Sequence, residues 1–211
     1  MSAQYQIERD LKEAESMADA LEEYVRGNQL YGNASGGIFA NMPSLTIGAL
    51  ATRLRRLDVL RPHLSAKQQE TLNHAMRQHT SVQQEWRYHY EEKIKHEAHS
   101  RLDAMRTFFR ECADSTRLCA SVYPPEVLRR TVVQEVLRLM NELNISMQDK
   151  DAENNNGDDL ETKLRGTDSK LRGLVKPHPF LWDDILQPAY PKDEFWWLYN
   201  KPPSPDDAKK A

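Results

Sequence analysis

The sequence predicts an all-α protein, an elongated antiparallel bundle of about four helices, one of them very long. The main observation is a run of 61 residues, 63–123, that contains neither glycine nor proline. These two residues are the strongest local breakers of regular structure, so their absence favours continuous helix. Further stretches repeat apolar residues at three- and four-residue steps, which is the period of one helical face.

The first two helices are predicted over residues 4–26 and 44–61. The first carries a heptad-type apolar seam on an acidic surface, and Gly27 is expected to end it. The second follows a glycine-containing loop, with Asn41 or Ser44 as its cap. It is basic, because it holds four arginines, Arg53, Arg55, Arg56 and Arg61. An acidic helix and a basic helix attract when they pack side by side.

The third helix is predicted over residues 65–112, and the fourth over 126–147. Ser65 followed by Gln68 forms the pattern of a capping box at the start of the third helix. Tyr123 precedes two prolines, so the long run is expected to end there and a new helix to begin at Pro125.

Two cysteines, Cys112 and Cys119, lie seven residues apart. On one helix this spacing separates them by about 10 Å along the axis. A disulfide needs Cα atoms within about 7 Å, so a bridge is excluded unless the helix breaks between the two residues. Residues 114–116 offer such a break and a new cap. Two buried thiols are the expected state.

The composition changes after residue 147, which is expected to end a helical bundle domain, 1–147. Residues 148–170 are rich in aspartate and asparagine and poor in large apolar side chains, which predicts a disordered linker. Residues 171–203 combine prolines with aromatic side chains, and include three of the four tryptophans. Residues 204–211 are predicted to be a disordered tail.

The aromatic segment is the predicted partner-binding site, because aromatic anchors set among polar residues are typical of binding hot spots. Five residues are candidates: Phe180, Trp182, Trp196, Trp197 and Tyr199. The segment either folds back onto an apolar groove of its own chain or docks on another protein. The entropic cost of ordering the segment offsets much or all of the free energy gained by burying its aromatic area, which predicts marginal and displaceable docking.

A polar face of the long helix suggests a metal-binding alternative. Five side chains share it: Glu85, His89, Glu92, His96 and His99. Histidines and carboxylates at three- and four-residue spacing can share a metal ion. The same spacing also fits exposed intrahelical ion pairs, and the face lies opposite the apolar stripe of the helix.

Nucleic-acid binding through Arg53, Arg55, Arg56 and Arg61 is a second alternative, because arginines contact phosphates. We find no nucleotide-binding or hydrolase motif; the glycine-rich stretch 32–37 lacks the lysine and serine or threonine that end a phosphate loop. The sequence therefore favours a non-enzymatic scaffold or adaptor over an enzyme and implies no cofactor.

The expected partners are another protein or a second copy of the chain. A net charge of −3 makes nucleic acid an unlikely general partner. No apolar run approaches the length needed to cross a bilayer, and the first residues lack a signal-peptide pattern. The sequence thus predicts a cytoplasmic protein without a membrane partner.

Overall fold

The protein is described by a computed structural model that covers residues 4–34, 42–147 and 159–203. Helices dominate it, which confirms the all-α class. The chain divides into two compact units: the first unit is Gln4–Glu97, and the C-terminal unit comprises the described residues from Ala98 onward. The division falls inside a helix, and differs from the predicted boundary after residue 147.

The described residues form more α-helices than the four predicted. In chain order they are α1 Ile7–Asp19, α2 Leu21–Arg26, α3 Ile47–Val59, α4 Ala66–Glu85, α5 Arg87–Asp114, α6 Thr116–Glu142 and α7 Leu160–Leu174. Short 3-10 helices occur at Arg61–His63, Asp184–Ala189 and Trp196–Tyr199, and two short strands, β1 Lys176–Pro177 and β2 Asn200–Lys201, pair antiparallel.

In the first unit, α1 packs against α3 and α4. The apolar seam predicted for the first helix faces this core, with Leu11, Ala14 and Leu21 all buried. The predicted helix over 4–26 is interrupted at Ala20, which separates α1 from α2. Gly27 ends α2, as predicted.

The start of α3 differs from the prediction. Its cap is Thr46, whose hydroxyl accepts a hydrogen bond from the amide of Ala49, rather than Ser44; Asn41 lies outside the described residues. The reason is that Leu45 is still extended, since it exchanges two backbone hydrogen bonds with Gly32. The helix can therefore begin only after this bridge.

The very long helix predicted over 65–112 is wrong as a single element. Its capping box at Ser65 and Gln68 is confirmed, but the run is interrupted at Trp86, where φ is −110° and ψ is 34°. The apolar stripe nevertheless continues on both sides, with Leu72 on α4 and Ile94 on α5 fully buried. Helical periodicity thus survives a break that no glycine or proline marks.

The helix predicted over 126–147 begins earlier than expected, because α6 runs from Thr116 through Pro124 and Pro125. Each proline removes one backbone donor and crowds the preceding turn. Tyr123 and Val127 lie on either side of the prolines and are buried, with exposed fractions of 2% and 1%. Packing on both sides stabilises the helix across the prolines.

The expectation of two free buried thiols is wrong, because Cys112 and Cys119 form a disulfide. Their Cα atoms lie 4.3 Å apart, which an unbroken helix could not achieve. The helix breaks at Ser115, whose side chain accepts from the amide of Leu118 and caps α6. The break predicted at residues 114–116 is therefore present, and it brings the two cysteines together.

The linker predicted over 148–170 is wrong from residue 160 onward, where α7 begins. Asp159 caps this helix by accepting a hydrogen bond of 2.7 Å from the amide of Thr162. Leu160 and Leu171 are buried, which supplies the apolar contacts that the prediction found lacking. Residues 148–158 and 204–211 lie outside the described residues.

Candidate protein-interaction site

The C-terminal aromatic segment, residues 176–201, closes on itself. The pairing of β1 with β2 sets Lys176 opposite Lys201 at its two ends. Further in, the amide of Leu181 donates to the carbonyl of Leu198 at 2.9 Å. These contacts bring aromatic residues from both halves of the segment into one cluster, although the segment is too rich in proline for a long helix.

Trp197 anchors the segment on α6. Its side chain is 1% exposed, and its indole nitrogen donates to the Thr131 hydroxyl at 3.0 Å. The hydroxyl of Tyr123 donates to the Trp197 carbonyl at 2.9 Å, and burial raises the pKa of that hydroxyl above its usual value. The guanidinium of Arg130 lies 4.0 Å from the centre of the indole ring, at cation–π distance.

The same arginine joins α6 to α7. Arg130 is 3% exposed, and its guanidinium donates to both carboxylate oxygens of Asp168 at 2.7 and 2.9 Å. A bidentate pair of this kind fixes orientation as well as distance. On α7, the guanidinium of Arg172 lies 3.9 Å from the ring centre of Trp196. The segment is therefore held to two helices by one buried and one more exposed arginine.

The five predicted partner-binding residues divide into two layers. Phe180 and Trp197 form an inner layer and are buried. Trp182, Trp196 and Tyr199 are half-buried, and we call them the outer aromatic layer. Ring contacts join the layers: the centres of Trp196 and Trp197 lie 5.6 Å apart, and those of Phe180 and Tyr199 lie 5.1 Å apart. The buried layer thus supports a partly exposed aromatic surface capable of non-covalent contact.

The basic second helix faces the acidic first one, as the charges predicted. Arg53 donates twice to one carboxylate oxygen of Glu13, at 2.9 and 2.6 Å. Arg56 forms a bidentate pair with Asp10, at 2.9 and 2.6 Å. Both guanidinium groups are mostly buried and held by carboxylates, so a phosphate would have to displace these pairs.

The other two basic candidates differ in position. Arg61 follows α3 and donates to the carboxylate of Asp58 at 2.8 Å and to the amide oxygen of Asn73 at 2.8 Å. Arg55 lies on α3 and is half-buried. Three of the four arginines predicted to contact phosphates, Arg53, Arg56 and Arg61, are thus engaged by side chains inside the first unit.

The metal candidates lie on the last residue of α4 and along α5. Glu85, His89 and His96 are exposed, and Glu92 and His99 are half-buried. Among the described residues, no group of three or more histidine, cysteine, aspartate or glutamate side chains comes together in a way that could hold a metal ion. The predicted face therefore does not converge on a coordination site.

The histidine that is buried is His79, on the apolar stripe. Its Nε2 atom lies 2.7 Å from the Tyr90 hydroxyl. Burial lowers the pKa of His79 to about 4, so the ring is neutral at pH 7 and serves as a core residue.

Sequence reasoning missed the residues that receive the aromatic segment. These are Tyr123, Arg130 and Thr131 on α6 and Asp168 on α7. Arg130 and Thr131 stand among the apolar residues of a helix stripe, and a charged residue at such a position is rarely buried without a partner. This was the available signal, but it does not identify the partner.

The chain matches no protein-family model, no curated protein and no solved structure. In the parts of the chain that the structure describes, no helix is both long enough and apolar enough to cross a membrane.

Proposed function

We propose that the protein is a non-enzymatic adaptor that acts through protein–protein interaction, with the outer aromatic layer as its partner surface. The observation that carries this proposal is the partial exposure of Trp182, Trp196 and Tyr199, which contact a buried aromatic layer. Tryptophan, tyrosine and arginine are the residues most enriched in binding hot spots. The layer holds the first two types, and Arg172 stacks on Trp196.

The support beneath the layer favours this role. A flexible side chain loses about 0.5–1.5 kcal/mol of conformational freedom when an interface immobilises it. Trp196 is already ordered between Arg172 and Trp197, and Tyr199 donates from its hydroxyl to the Tyr190 carbonyl at 2.8 Å. Folding has therefore already fixed most of these side chains, so a partner that covers them loses little further free energy in ordering them.

The depth of burial revises the expected mode of binding. The sequence predicts a marginal segment that a partner could displace, but Trp197 and Phe195 are buried with exposed fractions of 1% and 0%. We propose instead that the segment stays seated and binds through its outer layer.

A second copy of the chain is the first partner to test. A two-fold interface pairs one patch with the same patch on the other subunit, and aromatic rings pair with one another in edge-to-face or offset geometry. The proposal therefore includes self-association through the outer aromatic layer.

The test compares variants of the outer layer with a matched control. Trp182→Ala and Trp196→Ala remove half-buried rings, whereas Leu128→Ala removes an apolar side chain of α6 that is 46% exposed. Light scattering across a range of protein concentrations measures self-association, and crosslinking mass spectrometry locates bound partners.

We expect the tryptophan variants to lose association while the Leu128 variant keeps it. Circular dichroism must show that all three remain folded. A chain that stays monomeric and shows no crosslinks to the outer layer would contradict the proposal.

A further inference from the structure

A groove separate from the aromatic layer lies between the second half of α5 and the end of α7. Its volume is about 920 Å³, within the range of about 300–1,000 Å³ that is usual for small-molecule sites. Four of its lining residues are apolar or lack a side chain: Phe109 and Ala113 on α5, and Gly173 and Leu174 on α7. This part of the lining suits the hydrocarbon part of a ligand.

The rim of the groove is basic. Arg106 and Arg110 project from α5, and Lys170 projects from α7 with its ammonium 5.8 Å from the Phe109 ring centre. Asp103 is the acidic residue of the lining, and its carboxylate lies 3.2 Å from the Lys163 ammonium and 3.4 Å from the Arg106 guanidinium. Two cations already share this carboxylate, so the rim keeps an excess of positive charge.

We propose that the groove binds an amphipathic anion of the long-chain carboxylate class. The carboxylate of the ligand lies among Arg106, Arg110 and Lys170, and its hydrocarbon chain covers Phe109 and Leu174. Charge and apolar surface thus select the ligand together. A second copy of the chain does not fit the same face, because a two-fold contact would bring two basic rims together.

Gly173 provides a direct way to fill the groove. A Cβ atom added at this position meets nothing within 4 Å, so a larger side chain enters open space. Gly166 lies on the same helix, and a Cβ added there also meets nothing within 4 Å, but it does not line the groove. Replacing glycine inside a helix favours the helix, so both variants are expected to fold.

The experiment is a calorimetric titration of the full chain with dodecanoate below its micelle-forming concentration. Dodecyltrimethylammonium provides the same chain with the opposite charge, and acetate provides the charge without the chain. We expect saturable binding of dodecanoate alone. Each methylene added or removed should change the affinity by at most about fourfold, since burial of one methylene sets that limit.

The variants then locate the site. Gly173→Leu should abolish dodecanoate binding, whereas Gly166→Leu should retain it. Lys170→Ala should weaken binding by up to about fivefold, the limit for one exposed ion pair, whereas Arg165→Ala, on the same helix and outside the groove, should not.

Three results would overturn the proposal. They are the absence of saturable dodecanoate binding, equal binding of the cationic amphiphile, and retention of binding in folded Gly173→Leu. If dodecanoate fails to bind but a synthetic acidic amphipathic peptide binds, the groove would be assigned to a protein partner instead.

Discussion

The indole nitrogen of Trp197 donates a hydrogen bond of 3.0 Å to the Thr131 hydroxyl across a sequence separation of 66 residues. Both side chains are buried, with exposed fractions of 1% and 0%. A buried donor without an acceptor costs free energy, because it has lost its water partners and gained none in return. The packing of the aromatic segment on α6 therefore depends on the hydroxyl group of Thr131.

We predict that Thr131→Val lowers the free energy of unfolding of the C-terminal unit by about 1–3 kcal/mol. Valine keeps the shape of threonine but leaves the Trp197 N–H without an acceptor. Tryptophan fluorescence during urea unfolding measures the loss, since three of the four tryptophans lie in this segment.

Thr80→Val provides the matched control. Thr131 and Thr80 both donate to a backbone carbonyl four residues earlier, at 2.8 and 3.0 Å. Thr80 is exposed and lies in the first unit, so hydrogen exchange of that unit measures the effect of losing the local bond alone. Equal effects of the two substitutions would show that the contact with Trp197 contributes nothing.

The contact between α1 and α3 could be predicted because its signal is local. The apolar seam of α1 and the acidic residues beside it fix which face packs, and the arginines of α3 supply the opposite charge. The pairs of Arg53 with Glu13 and of Arg56 with Asp10 then follow from attraction between the two faces.

Helix α7 is hidden in the sequence because residues 148–170 as a whole are rich in aspartate and asparagine. From Leu160 the leucines recur at positions 160, 164, 171 and 174, which is heptad-type spacing, and Asp159 precedes them as a cap. The acidic and asparagine-rich residues before them masked this pattern.

Other features had no local signal. The break at Trp86 lies in a run without glycine or proline, and tertiary packing commonly overrides the helical preference of such a run. The partner of Trp197 is likewise invisible to periodicity, because nothing within one helix shows which distant side chain will approach it.

We predict that Arg53→Met lowers the free energy of unfolding of the first unit by about 3 kcal/mol, the lower end for breaking a buried pair. The loss is limited because Arg9 still donates to the Glu13 carboxylate at 2.9 Å. Arg87→Met, which removes an exposed pair with Glu91, should cost less than about 0.5 kcal/mol. Hydrogen exchange of the first unit measures both changes, and similar values would contradict a special role for the buried pair.

The same pair predicts behaviour in acid. Burial acts to raise the pKa of Glu13, but hydrogen bonds and charge from Arg53 and Arg9 outweigh it and lower that pKa below 4.5. The unfolded chain therefore binds the proton first, and this stabilisation is lost as the pH falls below about 4.5. Arg53→Met should flatten the dependence of stability on pH in this range.

We predict a separate loss of stability between pH 6.5 and about 4 from His79. Its pKa falls from 6.5 to about 4 because the ring is buried. In this window the unfolded chain binds a proton that the folded chain excludes, so stability falls as the pH falls, by up to about 3 kcal/mol. His79→Gln should remove this slope and exposed His89→Gln should keep it. Hydrogen exchange at pH 7 and pH 5 gives the comparison, and an unchanged slope in His79→Gln would refute the assignment.

We predict that the disulfide between Cys112 and Cys119 stabilises the C-terminal unit. It closes a short loop across the capped break between α5 and α6, at a sequence separation of 7. By loop entropy alone such a bridge stabilises the folded state by about 2.5 kcal/mol. A reductant should therefore lower the unfolding temperature of the C-terminal unit, and the double variant Cys112→Ser, Cys119→Ser should be insensitive to it. A wild-type unfolding temperature that ignores the reductant would contradict the prediction.

The redox state of this pair also tests where the protein works. Disulfides persist in oxidising compartments and are rare in the cytosol, where thiols are kept reduced. The cytoplasmic location predicted from the sequence favours two reduced cysteines, whereas a stable bridge requires two oxidised ones. Trapping thiols with an alkylating agent in intact cells, followed by mass spectrometry, distinguishes the reduced from the oxidised state of the two cysteines. Unlabelled cysteines indicate an oxidising compartment, whereas two labelled cysteines support a cytosolic protein. In the second case, the cap at Ser115 and the packing of both helices stabilise the helix break without the disulfide.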